Sequence, residues 1–302
     1  MSLPFKDTLT DLSAAFEARA QAAKAAVAEL RLSETAIRTG TLWRTDVVIA
    51  SEQSLPKIEA LDVALANGVA RARPVGRDPG TNIAVLKLDT PAPAALPPTS
   101  AARAGSLALA FGADGAGGIT AHLGAVTSVG SEWHSRAGGR IDQRIHLGVA
   151  LSSAEEGGPV LDAEGRLLGI STLGPRGRVL VIPASTVERV IDPLVTHGRI
   201  ARGWLGLALQ PVAVPEALRA ACAQDSGLMV MSTVSDAPAA QAGIVAGDIL
   251  LQIGGIPVTH VRKLAGQLGP ESVGQPVEVK LIRTGAIMSV GPTITARPKN
   301  GC

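Results

Sequence analysis

Ser153-Ala154-Glu155-Glu156-Gly157-Gly158-Pro159, followed by Val160-Leu161-Asp162, decides how the rest of the chain is read. Two glycines and a proline open a short apolar strand, and Asp162-Ala163-Glu164-Gly165 forms the next hairpin turn. Proline at the first residue of a strand removes no ladder bond, and glycine before it permits a tight backbone entry. The local plan is therefore turn, strand, turn, with two adjacent carboxylates inside the first turn.

Working outward, short Val/Leu/Ile runs separated by turn signals continue on both sides. Upstream they are Val27–Leu32, Ala36–Trp43, Asp46–Ala50, Lys57–Leu65, Val69–Arg73 and Ile83–Leu88, with Asn67-Gly68 as a strong hairpin dipeptide. The run Pro91-Ala92-Pro93-Ala94-Ala95-Leu96-Pro97-Pro98 has too few N–H donors to continue a ladder and reads as an extended crossover. A second set follows: Ser106–Phe111, Ile119–Val129, Arg140–Ala150, Gly158–Leu161, Leu167–Leu173 and Val179–Ile182. Two groups of about six strands predict a pair of antiparallel barrels. Ala184–Val195 reads as a closing helix. At the N-terminus, Leu9, Leu12, Phe16 and Ala20 recur at helical spacing from Thr10 to about Ala23. That face either packs on its own barrel or forms an oligomer contact through Phe5, Leu12 and Phe16.

Composition narrows the function. The chain has 302 residues, 34 Gly, 20 Pro and a formal net charge of +2. With only three Trp, three Phe and no Tyr, neither a basic footprint nor an aromatic stacking platform for nucleic acid is visible. The two cysteines, Cys222 and Cys302, form no disulfide framework and no metal-type spacing. No apolar run approaches the ~20 residues needed to span a bilayer. No cofactor is expected. The first ten residues lack a signal-peptide pattern, so the sequence as it stands predicts a cytoplasmic protein, or a periplasmic one if a leader has been trimmed.

From Arg202 the pattern changes to strands near Trp204–Leu209, Gly227–Ser232, Ile249–Ile253 and Val277–Arg283, alternating with helices at Ala237–Ala242 and Val261–Leu268. Within it, Arg202-Gly203-Trp204-Leu205-Gly206 and Ala239-Ala240-Gln241-Ala242-Gly243-Ile244-Val245-Ala246-Gly247-Asp248-Ile249-Leu250 resemble the carboxylate-binding loop and the helix signature of a PDZ domain. The resemblance implies a peptide site lined by Trp204, Leu205, Gly206 and Leu207, faced by Val261, Leu264 and Leu268 of a helix, and taking protein C-termini or extended peptides.

Taken with the barrels, the order resembles the HtrA (Do-like) serine protease family, a trypsin-like double barrel followed by a PDZ domain. The segment Val47-Val48-Ile49-Ala50-Ser51-Glu52-Gln53-Ser54-Leu55 is similar to the family's histidine segment. The segment Gly76-Arg77-Asp78-Pro79-Gly80-Thr81-Asn82-Ile83-Ala84-Val85-Leu86-Lys87-Leu88 is similar to its aspartate segment, and the opening stretch to its nucleophile turn. The fold class implied is mostly β: residues 1–24 an N-terminal helix, 25–197 a double six-stranded barrel (25–96, 101–183 and a closing helix 184–197), and 198–302 a PDZ domain, a β-sandwich with two helices. The resemblance also implies a homo-oligomer, as a trimer.

Carried onto this sequence, the triad positions are Gln53, Asn82 and Glu156, and Ala154 takes the oxyanion-hole position where the family has glycine. An amide has no usable pKa for general-base work, and a carboxylate repels a developing oxyanion. The expectation is a non-enzymatic pseudoprotease, a peptide-binding scaffold or chaperone-like adaptor. The alternatives are a divergent endopeptidase using other residues and a metal-binding structural protein using His122, His134 and His146. Glu155 and Glu156 are expected as an exposed carboxylate pair, solvated or turned toward Arg136 or Arg140.

Overall fold

The computed structural model describes residues 5–93, 96–135 and 137–298. In chain order its elements begin with α1 (Phe5–Ala23), β1 (Val27–Arg31), β2 (Ile37–Arg44), β3 (Val47–Ser51), β4 (Leu61–Leu65), β5 (Gly68–Asp78) and β6 (Ile83–Leu88). Then come β7 (Leu107–Ala113), β8 (Ile119–Gly130), β9 (Trp133–His134), β10 (Arg140–Ile141), β11 (Arg144–Leu147), β12 (Pro159–Asp162), β13 (Leu167–Leu173), β14 (Val179–Pro183) and α2 (Ala184–His197). The remaining elements are β15 (Gly203–Trp204), β16 (Leu207–Ala213), α3 (Glu216–Cys222), β17 (Ser226–Thr233), α4 (Pro238–Gln241), β18 (Ile249–Ile253), β19 (Ile256–Pro257), α5 (Val261–Gln267), β20 (Val279–Arg283), β21 (Ala286–Val290) and β22 (Thr295–Ala296).

Two closed six-stranded barrels form, with orders β1-β2-β3-β6-β5-β4 and β11-β14-β13-β12-β7-β8. The two-residue period of a strand explains why these sequences read as continuous apolar runs instead of alternating ones. In β3, Val48 and Ala50 point into the first barrel, while Val47 and Ile49 point into a second core shared with the other barrel. β6 divides in the same way, with Ala84 and Leu86 inside and Ile83 and Val85 outward. From the other side, Leu109 and Phe111 of β7 enter the shared core, and Ala108 and Ala110 fill the second barrel. Both faces of each strand are thus buried. Val187, Val190, Ile191 and Leu194 of α2 complete the shared core, and Gly198 in a left-handed conformation (φ 74°) ends that helix.

Phe16 and Ala20 of α1 pack against the shared core, whereas Leu9 and Leu12 are exposed. The side chain of Phe5 lies outside the described residues, as do Arg136 and Cys302. The chain divides into two compact units, Met1–Trp133 with Ile141–Ile200, and His134–Arg140 with Ala201–Cys302. In the second unit β16-β17-β18-β20-β21 form one sheet around Leu228, Leu250, Val279 and Leu281. The two-residue strands β19 and β22 are absent from the sequence expectation, and so are two longer elements, α3 and β21. Pro215 directly before Glu216 and the Thr284-Gly285 turn are the local signals for them.

Candidate functional site

The turn that leads into β12 is held by main-chain and hydroxyl bonds to both barrels. Thr39 Oγ1 donates to the Ala154 carbonyl (2.8 Å) and accepts the Ala113 N–H (2.9 Å). Thr41 Oγ1 donates to the Gly157 carbonyl (2.9 Å), and Gly157 N–H donates to the Ser171 carbonyl (3.0 Å). The two glycines are there for space. Gly157 has φ +100°, and a Cβ on it would lie 2.5 Å from the Thr39 carbonyl oxygen. A Cβ on Gly158 would lie 1.8 Å from the Phe111 carbonyl oxygen. Ala154 is not among the residues of positive φ, so its methyl group meets no left-handed strain.

The three positions singled out in the sequence come together at this turn. Asn82 stands in a left-handed conformation (φ 57°) that asparagine tolerates. Asp78 fixes the loop before it by accepting bonds from Gly80 N–H, Thr81 N–H and Thr81 Oγ1. Asn82 Oδ1 then accepts the Gln53 N–H (2.8 Å), and its Nδ2 donates to Ser51 Oγ (2.9 Å) and Thr172 Oγ1 (2.6 Å). Glu156 Oε1 accepts from Ser51 Oγ (2.8 Å), Thr172 Oγ1 (2.7 Å), Leu173 N–H (3.0 Å) and, at shorter range, the side-chain amide of Gln53. Glu156 is 3 % exposed, and its donors come from both barrels. Ser51 and Thr172 complete this network. Ser51 lies within the segment quoted for Gln53, but nothing local in the sequence marks Thr172.

Glu155 takes a different course. Its Oε1 accepts from Thr120 Oγ1 (2.6 Å) and pairs with His122 Nε2 (2.6 Å), and its Oε2 accepts the Ser152 N–H (2.7 Å). Burial pushes this carboxyl up, but the bonds from Thr120, Ser152 and His122 outweigh it and hold it at about 2. The expected exposed carboxylate pair is therefore corrected: both side chains are buried, and they face separate networks. Neither turns to Arg140 for its neutralisation, and Arg136 lies outside the described residues. Among the described residues no group of three or more His, Cys, Asp and Glu side chains is placed to hold a metal ion.

The second unit presents another arrangement. The carbonyls of Leu205 and Gly206 accept the N–H groups of Ala239 and Val234 (3.0 and 2.9 Å). In a trans peptide the N–H points opposite to the carbonyl, so the N–H groups of Gly206 and Leu207 are aimed away from these partners. Gly206 (φ +76°) makes the turn, and a Cβ there would lie 2.2 Å from Ala237 Cβ. Leu207 opens β16, which is an edge strand of its sheet and packs beside α5. Leu205 and Leu264 are buried in the domain core, with Leu207 and Leu268 packed partly against it. Val261 is 47 % exposed at the start of α5, and Trp204 lies in β15, half-buried. Asp248 explains the Gly-Asp signature. It is buried and accepts two bonds from Arg283 (2.8 and 2.7 Å) and one from Val245 N–H (2.9 Å).

Comparison with known proteins places both units. Residues 38–170 match the family described as "Trypsin-like peptidase domain", and residues 203–291 match "PDZ domain". A "Probable periplasmic serine endoprotease DegP-like" of Brucella suis biovar 1 (strain 1330) is 30 % identical over 264 residues, covering 84 % of this chain and 51 % of that protein. A protein of the same description from Rhizobium meliloti (strain 1021) is 30 % identical over 238 residues, covering 76 % and 47 %. The chain spans about half the length of the curated relatives it matches. Among solved structures, the serine endoprotease from Yersinia pestis superposes with a TM-score of 0.73 at 26 % identity, covering 94 % of this chain and 98 % of the other. The "HtrA-type protease AlgW with decapeptide" superposes with a TM-score of 0.73 at 22 % identity, covering 94 % and 99 %, and shows the fold alone. These names overturn the expectation of a chain without enzymatic activity, because relatives and neighbours alike are serine proteases and point to a protease. The relatives' descriptions also give no support to a cytoplasmic location, and among the described residues no helix is long and apolar enough to cross a membrane. The chain is thus a trypsin-like peptidase domain followed by a PDZ domain, and it is similar to DegP-like and HtrA-type serine proteases.

Proposed function

We propose that this chain is a peptide-recognising HtrA-family protein whose PDZ groove captures the C-terminal end of a protein partner. The observation that carries the reading is the pair of N–H groups of Gly206 and Leu207, which point away from the partners of their own carbonyls at the head of edge strand β16. A terminal carboxylate accepts both, the peptide continues as an added strand on β16, and its apolar side chains meet Leu205, Leu207, Leu264 and Leu268, with Val261 and Trp204 at the margins. The DegP-like relatives support a periplasmic setting, and exposed Leu9 and Leu12 on α1 suit a homo-oligomer contact.

Fluorescence anisotropy with a library of C-terminal peptides, each as free acid and as amide, tests the reading. Micromolar binding of free acids and loss on amidation are expected. Equal binding of acid and amide, or no binding at all, overturns carboxylate capture.

The relatives' names favour a second reading, endopeptidase activity in the trypsin-like domain. Such hydrolysis calls on the groups buried at the turn before β12, the Glu156 carboxylate and the hydroxyls of Ser51 and Thr172, since positions 53 and 82 carry amides. Time-dependent casein cleavage that disappears in Glu156→Gln at an unchanged melting temperature assigns the activity to this turn. Cleavage that persists in that variant places it elsewhere.

A further inference from the structure

On the second barrel, away from the turn of Glu155 and Glu156, strands β8, β11 and β14 enclose a groove of about 430 Å³. Thr127, Ser128, His146 and Arg178 line it beside the apolar walls of Leu147 and Val179. Ser128 and His146 are directly opposed across the β8–β11 ladder, and Ser128 Oγ lies 2.9 Å from His146 Nδ1. Whichever of the two donates in that bond, the neutral pair keeps one further donor: Nε2–H if the serine donates, the serine O–H if the ring does.

Charge converges on the same place. Arg178 stands at the entrance to β14, and Arg144 lies two residues before His146 on the same face of β11, its guanidinium 5.2 Å from the Trp133 ring centroid. Neither guanidinium has an acidic partner among the described residues. Burial first, and then the positive charges of Arg144 and Arg178, hold the His146 imidazole below its ordinary value, so both guanidinium groups act on the ring. The one spare donor of the Ser128–His146 pair, two guanidinium groups without an acidic partner and an apolar wall are the requirements for an anionic headgroup on an apolar body.

We propose that this groove is a binding site for a small oxyanion, a carboxylate or a phosphate, carried on an apolar body and held by Arg178 and Arg144 with Ser128 and His146 as hydrogen-bonding partners. The proposal is independent of peptide capture by the PDZ groove, which lies in the other unit.

Histidine-ring NMR on the full chain tests it, with inorganic phosphate in one titration and N-acetyl-leucine against its amide in another. Saturable shifts of the His146 signals are expected, with its titration midpoint moving up as the anion is added and the His122 signals unmoved. Arg178→Ala, and Arg144→Ala, which also gives up the contact with Trp133, are each expected to weaken binding about tenfold while the His122 signals keep the folded pattern. A response to phosphate alone or to the carboxylate alone supports the site and assigns its headgroup. Shifts that never saturate, equal shifts with N-acetyl-leucine and its amide in the absence of any phosphate response, or shifts unchanged in both arginine variants overturn the proposal.

Discussion

The turn before β12 and the head of β16 are both glycine-bearing backbone turns at the edge of an apolar core, and they treat their polar groups in opposite ways. At the first, one carboxylate oxygen of Glu156 accepts four donors, and Thr39, Thr41 and Ser171 occupy the main-chain carbonyls and an N–H around it. At the second, the carbonyls of Leu205 and Gly206 are satisfied internally while the N–H groups of Gly206 and Leu207 point away from those partners. A region whose hydrogen-bonding capacity is closed by its own chain contributes stability. A region whose donors point away from its own partners at a sheet edge suits the peptide capture proposed for it.

That contrast is broken most directly by Glu156→Ala. Removing the acceptor leaves buried donors from Ser51, Gln53, Thr172 and Leu173 without a partner, at a cost of about 3 kcal/mol or more. Calorimetry should show the first unit melting several degrees lower while peptide affinity of the PDZ domain stays the same. An unchanged melting temperature would remove the stabilising role assigned to this network. Glu155 gives the second test. Its folded-state value of about 2 lies below the ordinary value of 4.5, so its contribution is full above pH 4.5 and is lost as pH falls toward 2. The difference corresponds to about 3 kcal/mol at most. Urea melts across that range should show the loss, and His122→Ala should reduce it. Gly206→Ala comes next: a methyl group at positive φ and 2.2 Å from Ala237 Cβ displaces the turn proposed to bind a carboxylate. Peptide affinity should fall by about tenfold, or about 1.4 kcal/mol, with the first unit untouched. The smallest effect belongs to Val261→Ala, where an exposed side chain at the groove margin should cost about 0.5 kcal/mol of peptide affinity in the same titration.

Much of the architecture was legible because the strands carry their own signals. Asn67-Gly68, the Pro-rich crossover and Gly-Gly-Pro punctuate runs whose length and apolarity suit strands buried on both faces. The Gly-Asp of the second unit was legible as a signature, although its reason, the buried pairing of Asp248 with Arg283, lies 35 positions along the chain. The surroundings of Glu155 and Glu156 were not legible. A sequence of two glutamates in a glycine turn reads as exposed, and what buries them comes from Thr120, 35 residues away, and from Ser51, 105 residues away. Local pattern carries no information about such pairings, which arise only when the barrels meet. The expectation of an inactive chain failed for a related reason: it was drawn from three positions, whereas the relatives bear on the chain as a whole.

The 1.8 Å that separates a hypothetical Cβ at position 158 from the Phe111 carbonyl oxygen has a consequence for how such sequences are classified. Larger residues are excluded there by the neighbouring strand, whatever chemistry the adjacent side chain performs. Gly158 is then a record of how closely the entry to β12 approaches β7, and Gly157 of how closely the same turn approaches β2. A search keyed on Gly-Gly-Pro retrieves a geometry, and the reaction has to be sought in the side chains around it.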